Sequence, residues 1–383
     1  QIYAELYLLD RNATHLRSIH TTLDALARRP QTDDWWWVDA YFMALPAFAR
    51  LGNITADDAL HDKGLALYRD IPMNWDAWDL DAYTEDELLE TNESPAESWC
   101  IKTDAPLRAE IEIVRAIGNN SRITQTIRLD AGSPRLDIIT EYDWDETNRY
   151  LRLEMPTTID TRTATYDIQA GTVERPTTRK NPEERMMFEV CAHRWMDLSD
   201  PASGAGLSML NTGRYGCGAR REQTADGVRT TMHLSLLRAP THPDPTAGTD
   251  SGSITVSLLP HAGDWRSADT DRFAEAINFP PRVIPADCGE PWSPIEITEA
   301  PGQRLEIATI KPAYDDPTAL VVRLIETRGA AGEATVRWSL PVASVERTDA
   351  IERSGDGSFT HTGETTTIPV RAHEIVTLLA TRA

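Results

Sequence analysis

Hydrophobic positions near the start of the chain recur at the three- and four-residue steps of an amphipathic helix. The residues that carry this pattern are Leu16, Ile19, Leu23 and Leu26. Pro30 ends it, because proline lacks the amide hydrogen that a helix interior needs. Two more helices are predicted over 35–51 and 55–68, the former ending at Gly52. Residues 1–70 are therefore predicted to be a helical segment.

After residue 105 the pattern changes to the two-residue period of half-buried strands. Apolar and charged residues alternate from Leu107 to Ile113. Further strands are predicted over 123–129, 136–142, 233–237, 253–259, 319–325, 335–340 and 375–380, and a short helix over 269–278. Short strands separated by turns indicate antiparallel β-sandwich sheets.

The stretch from Pro280 to Pro294 contains five prolines and marks a boundary between two β domains. A chain of 383 residues is long enough for two or three domains. The sequence thus predicts a mainly β protein with a short α-helical N-terminus. Its parts are a helical segment (1–70), a large antiparallel β-sandwich (71–285) and a smaller C-terminal β-sandwich (286–383).

Composition excludes several classes of partner. The net charge of −22 and the pI of about 4.8 argue against nucleic acids and anionic membrane surfaces. No apolar run approaches the roughly 18 residues that span a membrane, and no signal peptide is visible. A cytoplasmic location is expected, with export left open. The four cysteines are scattered and predict free thiols rather than a metal site.

Several long motifs in the β region resemble one family of enzymes. These motifs are Ile71–Asp79, Tyr166–Thr177, Phe188–Ser199, Leu210–Gly216, Ser235–Pro240 and Leu258–Gly263. In order and spacing they resemble the C-terminal region of family 38 α-mannosidases. The resemblance implies a mutarotase-like supersandwich, a carbohydrate partner (mannosides or oligosaccharides), and hydrolysis of terminal α-mannosyl bonds in intact relatives. A homo-oligomer is implied by resemblance only.

The chain departs from this family in three respects. Thr178 stands where members commonly have a histidine, and Asp250–Ser253 continues without the histidine that usually follows. The family's zinc site and nucleophilic aspartate lie on an N-terminal α/β domain, and residues 1–70 are too few to form it. We therefore expect no cofactor or metal in this chain, although intact relatives bind zinc.

Candidate sugar-binding residues in the β region lie inside the family motifs. They are Trp75, Asp76, Trp78, Asp79, Arg175, Arg238 and His261. Carboxylates accept hydrogen bonds from sugar hydroxyls, and indole rings stack on apolar sugar faces. The structural alternative is that the tryptophans fill an interdomain seam, the aspartates cap turns, the arginines pair with carboxylates, and His193 and His261 are core histidines.

The helical segment resembles a second family. Residues 35–44, with Pro46, resemble part of a family 105 unsaturated glycuronyl hydrolase, which implies that Asp39 is a general acid or base. Trp35, Trp36 and Trp37 would line the sugar cleft. The alternative is that these aromatic residues pack on the β domain, since a closed toroid needs more helices than this segment supplies.

Three functions remain open from the sequence. The first is the C-terminal region of an α-mannosidase-like glycoside hydrolase without its own zinc catalytic domain. The second is a non-catalytic carbohydrate-binding or interaction module. The third is a glycuronyl hydrolase fragment that uses Asp39.

Overall fold

The computed structural model describes residues 13–29, 47–48, 51, 54–60, 80, 95–241, 244–285 and 289–383. The chain divides into two compact units, Gln1–Trp75 and Asp76–Ala383. The sequence-based boundary at 70/71 lies close to this division. In the described part, no helix is long and apolar enough to cross a membrane.

The first unit contains helix α1 (Thr14–Ala27) and further helical residues at 47–48, 51, 54–55 and 58–60. A small apolar cluster holds these pieces together. Its buried members are Leu23, Ala47, Phe48, Leu51 and Leu60. Leu23 and Leu26 of the predicted helical pattern both contribute to this cluster, so its apolar face is used for packing.

The second unit is built from antiparallel strands and two further helices, α2 (Pro182–Met186) and α3 (Thr270–Asn278). The strands of its first part are β1 (Ser98–Ala105), β2 (Arg108–Ile117), β3 (Ser121–Asp130), β4 (Leu136–Asp143), β5 (Tyr150–Thr157), β6 (Thr163–Ile168), β7 (Gly171–Pro176), β8 (Val190–Cys191), β9 (Trp195–Ser199), β10 (Ala205–Asn211), β11 (Gly216–Thr224), β12 (Gly227–Arg238) and β13 (Ser251–Ala262). Those of its second part are β14 (Ile295–Thr298), β15 (Leu305–Pro312), β16 (Leu320–Glu326), β17 (Gly332–Trp338), β18 (Val342–Thr348), β19 (Ser354–Ser358), β20 (Thr360–Thr362), β21 (Thr365–Val370) and β22 (Ile375–Arg382).

Strands β1–β13 form a large sandwich of two sheets. One sheet has nine strands in the order β1-β2-β3-β4-β13-β10-β9-β6-β7, and the other has four in the order β5-β12-β11-β8. The core lies between them, with Ile138 and Met196 from the first sheet and Met232 and Leu234 from the second. The predicted mainly β architecture is therefore confirmed.

Helix α3 covers part of the outer face of the nine-stranded sheet. A second apolar cluster lies beneath it, formed by Trp195, Leu210, Leu259, Trp265 and Ala274. The rings of Trp195 and Trp265 have centroids 4.7 Å apart. Because this face is covered, strand β9 is buried on both sides, with only Ser199 partly exposed.

Strands β14–β22 form the smaller sandwich. Its sheets have the orders β14-β17-β21-β20 and β15-β16-β22-β18-β19. Buried side chains from both sheets fill the core, and its largest member is Trp338, whose indole N–H donates to Thr366 Oγ1 at 2.9 Å. The predicted boundary at 285/286 lies between α3 and β14.

Ion pairs connect the two sandwiches of the second unit. The pairs are Arg194 with Glu306, Arg304 with Glu275, and Arg328 with Asp269 and Asp271. In each pair one residue belongs to the large sandwich or to α3 and the other to the small sandwich. These contacts fix the small sandwich against the helix side of the large one.

Candidate functional site

Eight of the residues predicted from sequence lie outside the described residues. They are Trp35, Trp36, Trp37, Asp39, Trp75, Asp76, Trp78 and Asp79. The structure therefore places three of the predicted site residues, namely Arg175, Arg238 and His261.

Arg175 is directed into the seam between the two sheets. It lies on β7 opposite Ala164 of β6. Its guanidinium carbon lies 4.9 Å from the centroid of the Tyr166 ring, and Tyr166 is almost fully buried. Such a cation–π contact anchors the guanidinium on the aromatic face. The buried Nη1 of Arg175 has no hydrogen-bond partner in the part of the chain that is described.

His261 belongs to a buried polar network beneath the start of α3. Its imidazole is only 5% exposed, and Nε2 lies 2.8 Å from Oδ1 of Asp197. Asp197 also accepts hydrogen bonds from Ser208 at 2.7 Å and Ser199 at 2.6 Å. Ser208 in turn contacts Thr270, the first residue of α3, at 2.7 Å. The network therefore joins the helix to the sheet, and His261 is not accessible to a sugar in this arrangement.

Arg238 lies at the end of β12, in the four-stranded sheet, directly opposite Tyr150 of β5. Directly opposed residues of antiparallel strands present their side chains on the same face of a sheet. Arg175 and His261 lie on β7 and β13 of the other sheet, with three strands between them. The three predicted residues therefore do not converge on one site.

A cluster that the sequence reasoning missed lies beside Arg238. Tyr150 donates a hydrogen bond to Oε2 of Glu189 at 2.9 Å, and the hydroxyl groups of Tyr150 and Ser235 are 2.6 Å apart. Ser235 also donates to Oε2 of Glu189. We call Tyr150, Glu189 and Ser235 the carboxylate–hydroxyl cluster.

The carboxylate–hydroxyl cluster lies on the outer face of the four-stranded sheet. Leu151 of β5, Leu234 of β12 and Val190 of β8 pack against the core. Since side chains alternate along a strand, the neighbouring Tyr150, Ser235 and Glu189 project from the opposite face. All three are partly exposed, although His233, two residues before Ser235 on the same face, is buried.

Gly216 of β11 permits the cluster to form. A Cβ at this position would lie 2.8 Å from Oε1 of Glu189 and 2.9 Å from Oγ of Ser235. Contacts this short are not tolerated, so any other residue would displace the glutamate. The Glu189 side chain therefore crosses the sheet above Gly216 to reach β12 and β5.

The environment of Tyr150 keeps its hydroxyl group protonated. Burial, together with the negative charge of Glu189, raises the pKa of Tyr150 well above its usual range. The phenol therefore remains a hydrogen-bond donor to Glu189 throughout the neutral range and does not become a phenolate.

A partly exposed aromatic pair lies next to Gly216 in the chain. The rings of His193 and Tyr215 stack with centroids 5.8 Å apart, and Tyr215 is 53% exposed. His193 is held by its backbone N–H, which donates to the carbonyl of Asp167 at 2.8 Å. Its imidazole is 36% exposed, so His193 is partly accessible, whereas His261 is buried.

Beside this pair, Asp167 fixes the position of Arg194. Burial raises the pKa of Asp167, although Arg194 donates hydrogen bonds to its Oδ2 from Nε and from the backbone, both at 3.0 Å. Arg194 also reaches Glu306 of the small sandwich at 3.2 Å. This part of the surface is therefore rigidly connected to both sandwiches.

The described residues do not fit a metal centre. No group of three histidine, cysteine, aspartate or glutamate side chains comes together in the ranges that the structure describes. A zinc ion needs three or four such ligands.

Two family profiles match the chain. The profile described as "Glycosyl hydrolases family 38 C-terminal domain" matches residues 53–246. A second, "Glycosyl hydrolases family 38 C-terminal beta sandwich domain", matches residues 304–378. The first match covers the described strands of the large sandwich up to β12, and the second covers most of the small sandwich.

Curated relatives are similar along the same region. Alpha-mannosidase 2C1 of Homo sapiens is 36% identical over 295 residues, which is 75% of this chain and 27% of that protein. An alpha-mannosidase of Saccharomyces cerevisiae is 27% identical over 317 residues, or 77% of this chain and 28% of that protein. The chain thus spans little more than a quarter of the length of these relatives.

A solved structure supports the fold. The crystal structure of an alpha-mannosidase from Enterococcus faecalis V583 superposes with a TM-score of 0.56 at 16% sequence identity. The match covers 75% of this chain and 35% of that chain. At this identity the similarity shows a shared fold.

Proposed function

The chain belongs to glycosyl hydrolases family 38, of which it carries the C-terminal domains, and we propose that it is the mannoside-binding β region of an α-mannosidase-type glycoside hydrolase. The observation that carries the proposal is the 36% identity over 295 residues with Alpha-mannosidase 2C1. Terminal α-mannosides are accordingly the proposed ligand class.

In this proposal the β region recognises sugar, and bond cleavage depends on residues other than those described. The partly exposed carboxylate and hydroxyls on the four-stranded sheet support a role in recognition, because neutral sugars are bound by such groups acting as acceptors and donors.

The experiment is to incubate the purified chain with 4-nitrophenyl α-mannoside, with and without added zinc. Release of nitrophenol is followed by absorbance, and saturation-transfer NMR on the same samples reports contact between protein and intact mannoside. We expect contact with the mannoside and no zinc-dependent release. Zinc-dependent release would overturn the division between recognition and cleavage, and the absence of any contact with folded protein would overturn the recognition role.

The third function predicted from the sequence, a glycuronyl hydrolase fragment that uses Asp39, stays a prediction because residues 35–44 lie outside the described residues. It is tested by following the absorbance of the unsaturated C4–C5 bond of a uronide substrate. The function is supported if the wild type lowers this absorbance and the Asp39→Asn variant does not. A homo-oligomer also remains a prediction, which sedimentation analysis tests.

A further inference from the structure

We propose that Glu189, oriented by Tyr150 and Ser235, is the hydroxyl-binding carboxylate of a saccharide subsite on the outer face of the four-stranded sheet. The inference rests on the proposed function in taking a sugar as its ligand. The inference goes beyond the proposed function because it names the residues that bind the sugar. These residues come from β5, from the segment before β8, and from β12.

Glu189 is held through only one of its two carboxylate oxygens. Oε2 accepts hydrogen bonds from both Tyr150 and Ser235. Oε1 accepts none from any described residue and is not among the buried atoms that lack a partner. Oε1 is therefore at least partly accessible to solvent, which a carboxylate oxygen that receives a ligand hydroxyl requires.

A purely structural carboxylate in the same chain looks different. Glu326 is fully buried, and both of its oxygens accept backbone N–H groups. Both carboxylate oxygens of Glu326 are therefore used to hold the backbone of neighbouring loops. In Glu189, Oε2 accepts the hydrogen bonds that orient the side chain, and Oε1 is left as a preorganised acceptor. Preorganisation lowers the entropic cost of binding.

Gly216 lies under the carboxylate and has no side chain to cover it. Arg238, opposite Tyr150, adds a guanidinium to the same face. A carboxylate acceptor beside hydroxyl groups is a typical arrangement for binding the hydroxyls of a hexopyranoside.

The test compares the affinities of methyl α-mannoside, methyl α-glucoside and methyl α-galactoside for the full chain by isothermal titration calorimetry. The variant is Glu189→Gln, which keeps the shape and removes the charge. The matched control is Glu222→Gln, an ion-paired carboxylate on the same face of β11, six residues or roughly 20 Å from Gly216.

We expect Glu189→Gln to weaken binding of the preferred hexoside about tenfold or more, because a hydrogen bond to a charged group contributes about 1.5–3 kcal/mol and 1.4 kcal/mol corresponds to tenfold. Glu222→Gln should bind as the wild type does. Tyr150→Phe should weaken binding severalfold, since Glu189 loses one of its two anchors. If Glu189→Gln does not fold, the Tyr150→Phe variant carries the test.

The outcomes separate the subsite from the proposed function. Equal affinity of wild type and Glu189→Gln for mannoside overturns the subsite and leaves the proposed function standing. Preference for another hexoside, lost in Glu189→Gln, supports the subsite and overturns the assignment to mannosides. Failure of the folded wild type to bind any of the three hexosides overturns both the subsite and the proposed function.

Discussion

The guanidinium of Arg328 binds the carboxylate of Asp271 with two hydrogen bonds, from Nη2 to Oδ1 at 2.6 Å and from Nε to Oδ2 at 2.9 Å. Asp271 lies in the first turn of α3, on the large sandwich, and Arg328 follows β16 of the small one. Their side chains are 5% and 12% exposed. This bidentate pair therefore connects the two sandwiches at a site that is largely shielded from water.

Breaking this pair should destabilise the protein. In Arg328→Ala the buried Asp271 carboxylate loses its main counter-charge, which typically costs about 3–5 kcal/mol. We expect a clear decrease in the urea midpoint, followed by tryptophan fluorescence. The matched control is Arg337→Ala, whose ion pair with Glu296 is more than half exposed and should contribute less than about 1 kcal/mol. Equal losses in the two variants would contradict the structural role of Arg328.

Gly206 is predicted to be essential for the position of His261. A Cβ on residue 206 would lie 2.1 Å from Cε1 of the buried imidazole. Gly206→Ala should therefore displace His261 from Asp197 and lower the free energy of unfolding by about 1–3 kcal/mol. Gly289→Ala is the control, because a Cβ there meets nothing within 4 Å. The measurement is the melting temperature of both variants. An unchanged melting temperature for Gly206→Ala would contradict the prediction, because it would show that displacing His261 does not destabilise the protein.

Glu146 should make the stability depend on pH in the acid range. Burial alone would raise its pKa, but hydrogen bonds from the backbone of Asn120 and Asn119 and from Ser121 outweigh burial and hold the pKa below its usual value of 4.5. A carboxyl group whose pKa is lowered by folding contributes stability above its unfolded pKa and loses it as the pH falls through the folded one.

The measurement is the melting temperature between pH 7 and pH 3 for wild type and Glu146→Gln. The wild type should lose stability below about pH 4.5, and the variant should be less stable at pH 7 and lose less on acidification. Glu141→Gln removes an exposed carboxylate and is the control. Identical pH profiles for wild type and Glu146→Gln would refute the contribution of Glu146.

Strands with one solvated face could be predicted from the sequence. Predicted strands at 123–129 and 136–142 correspond to β3 and β4, and the helix predicted at 269–278 corresponds to α3. In contrast, β9 showed no alternation, because α3 covers its outer face and both sides are apolar or engaged in buried hydrogen bonds. Covered strands thus lose the periodic signal that identifies exposed ones.

The carboxylate–hydroxyl cluster could not be predicted in the same way. Glu189 and Ser235 both lie inside motifs that resemble family 38, but nothing local distinguishes them from their neighbours. Their function depends on a contact with Tyr150, which is 39 and 85 residues away in the chain, respectively. The sequence-based candidates instead included His261, whose partners emerge only when β9, β10 and α3 pack together. Long-range pairing decides which polar residues meet, and one sequence does not reveal it.

The most direct test of mannoside recognition is the affinity of the folded wild-type chain for methyl α-mannoside, measured by calorimetry beside methyl α-glucoside and methyl α-galactoside. A β region of an α-mannosidase should bind the mannoside in a saturable manner and more tightly than the other two hexosides. A chain that is folded by circular dichroism and binds none of them, or binds all three equally weakly, would contradict the proposed function.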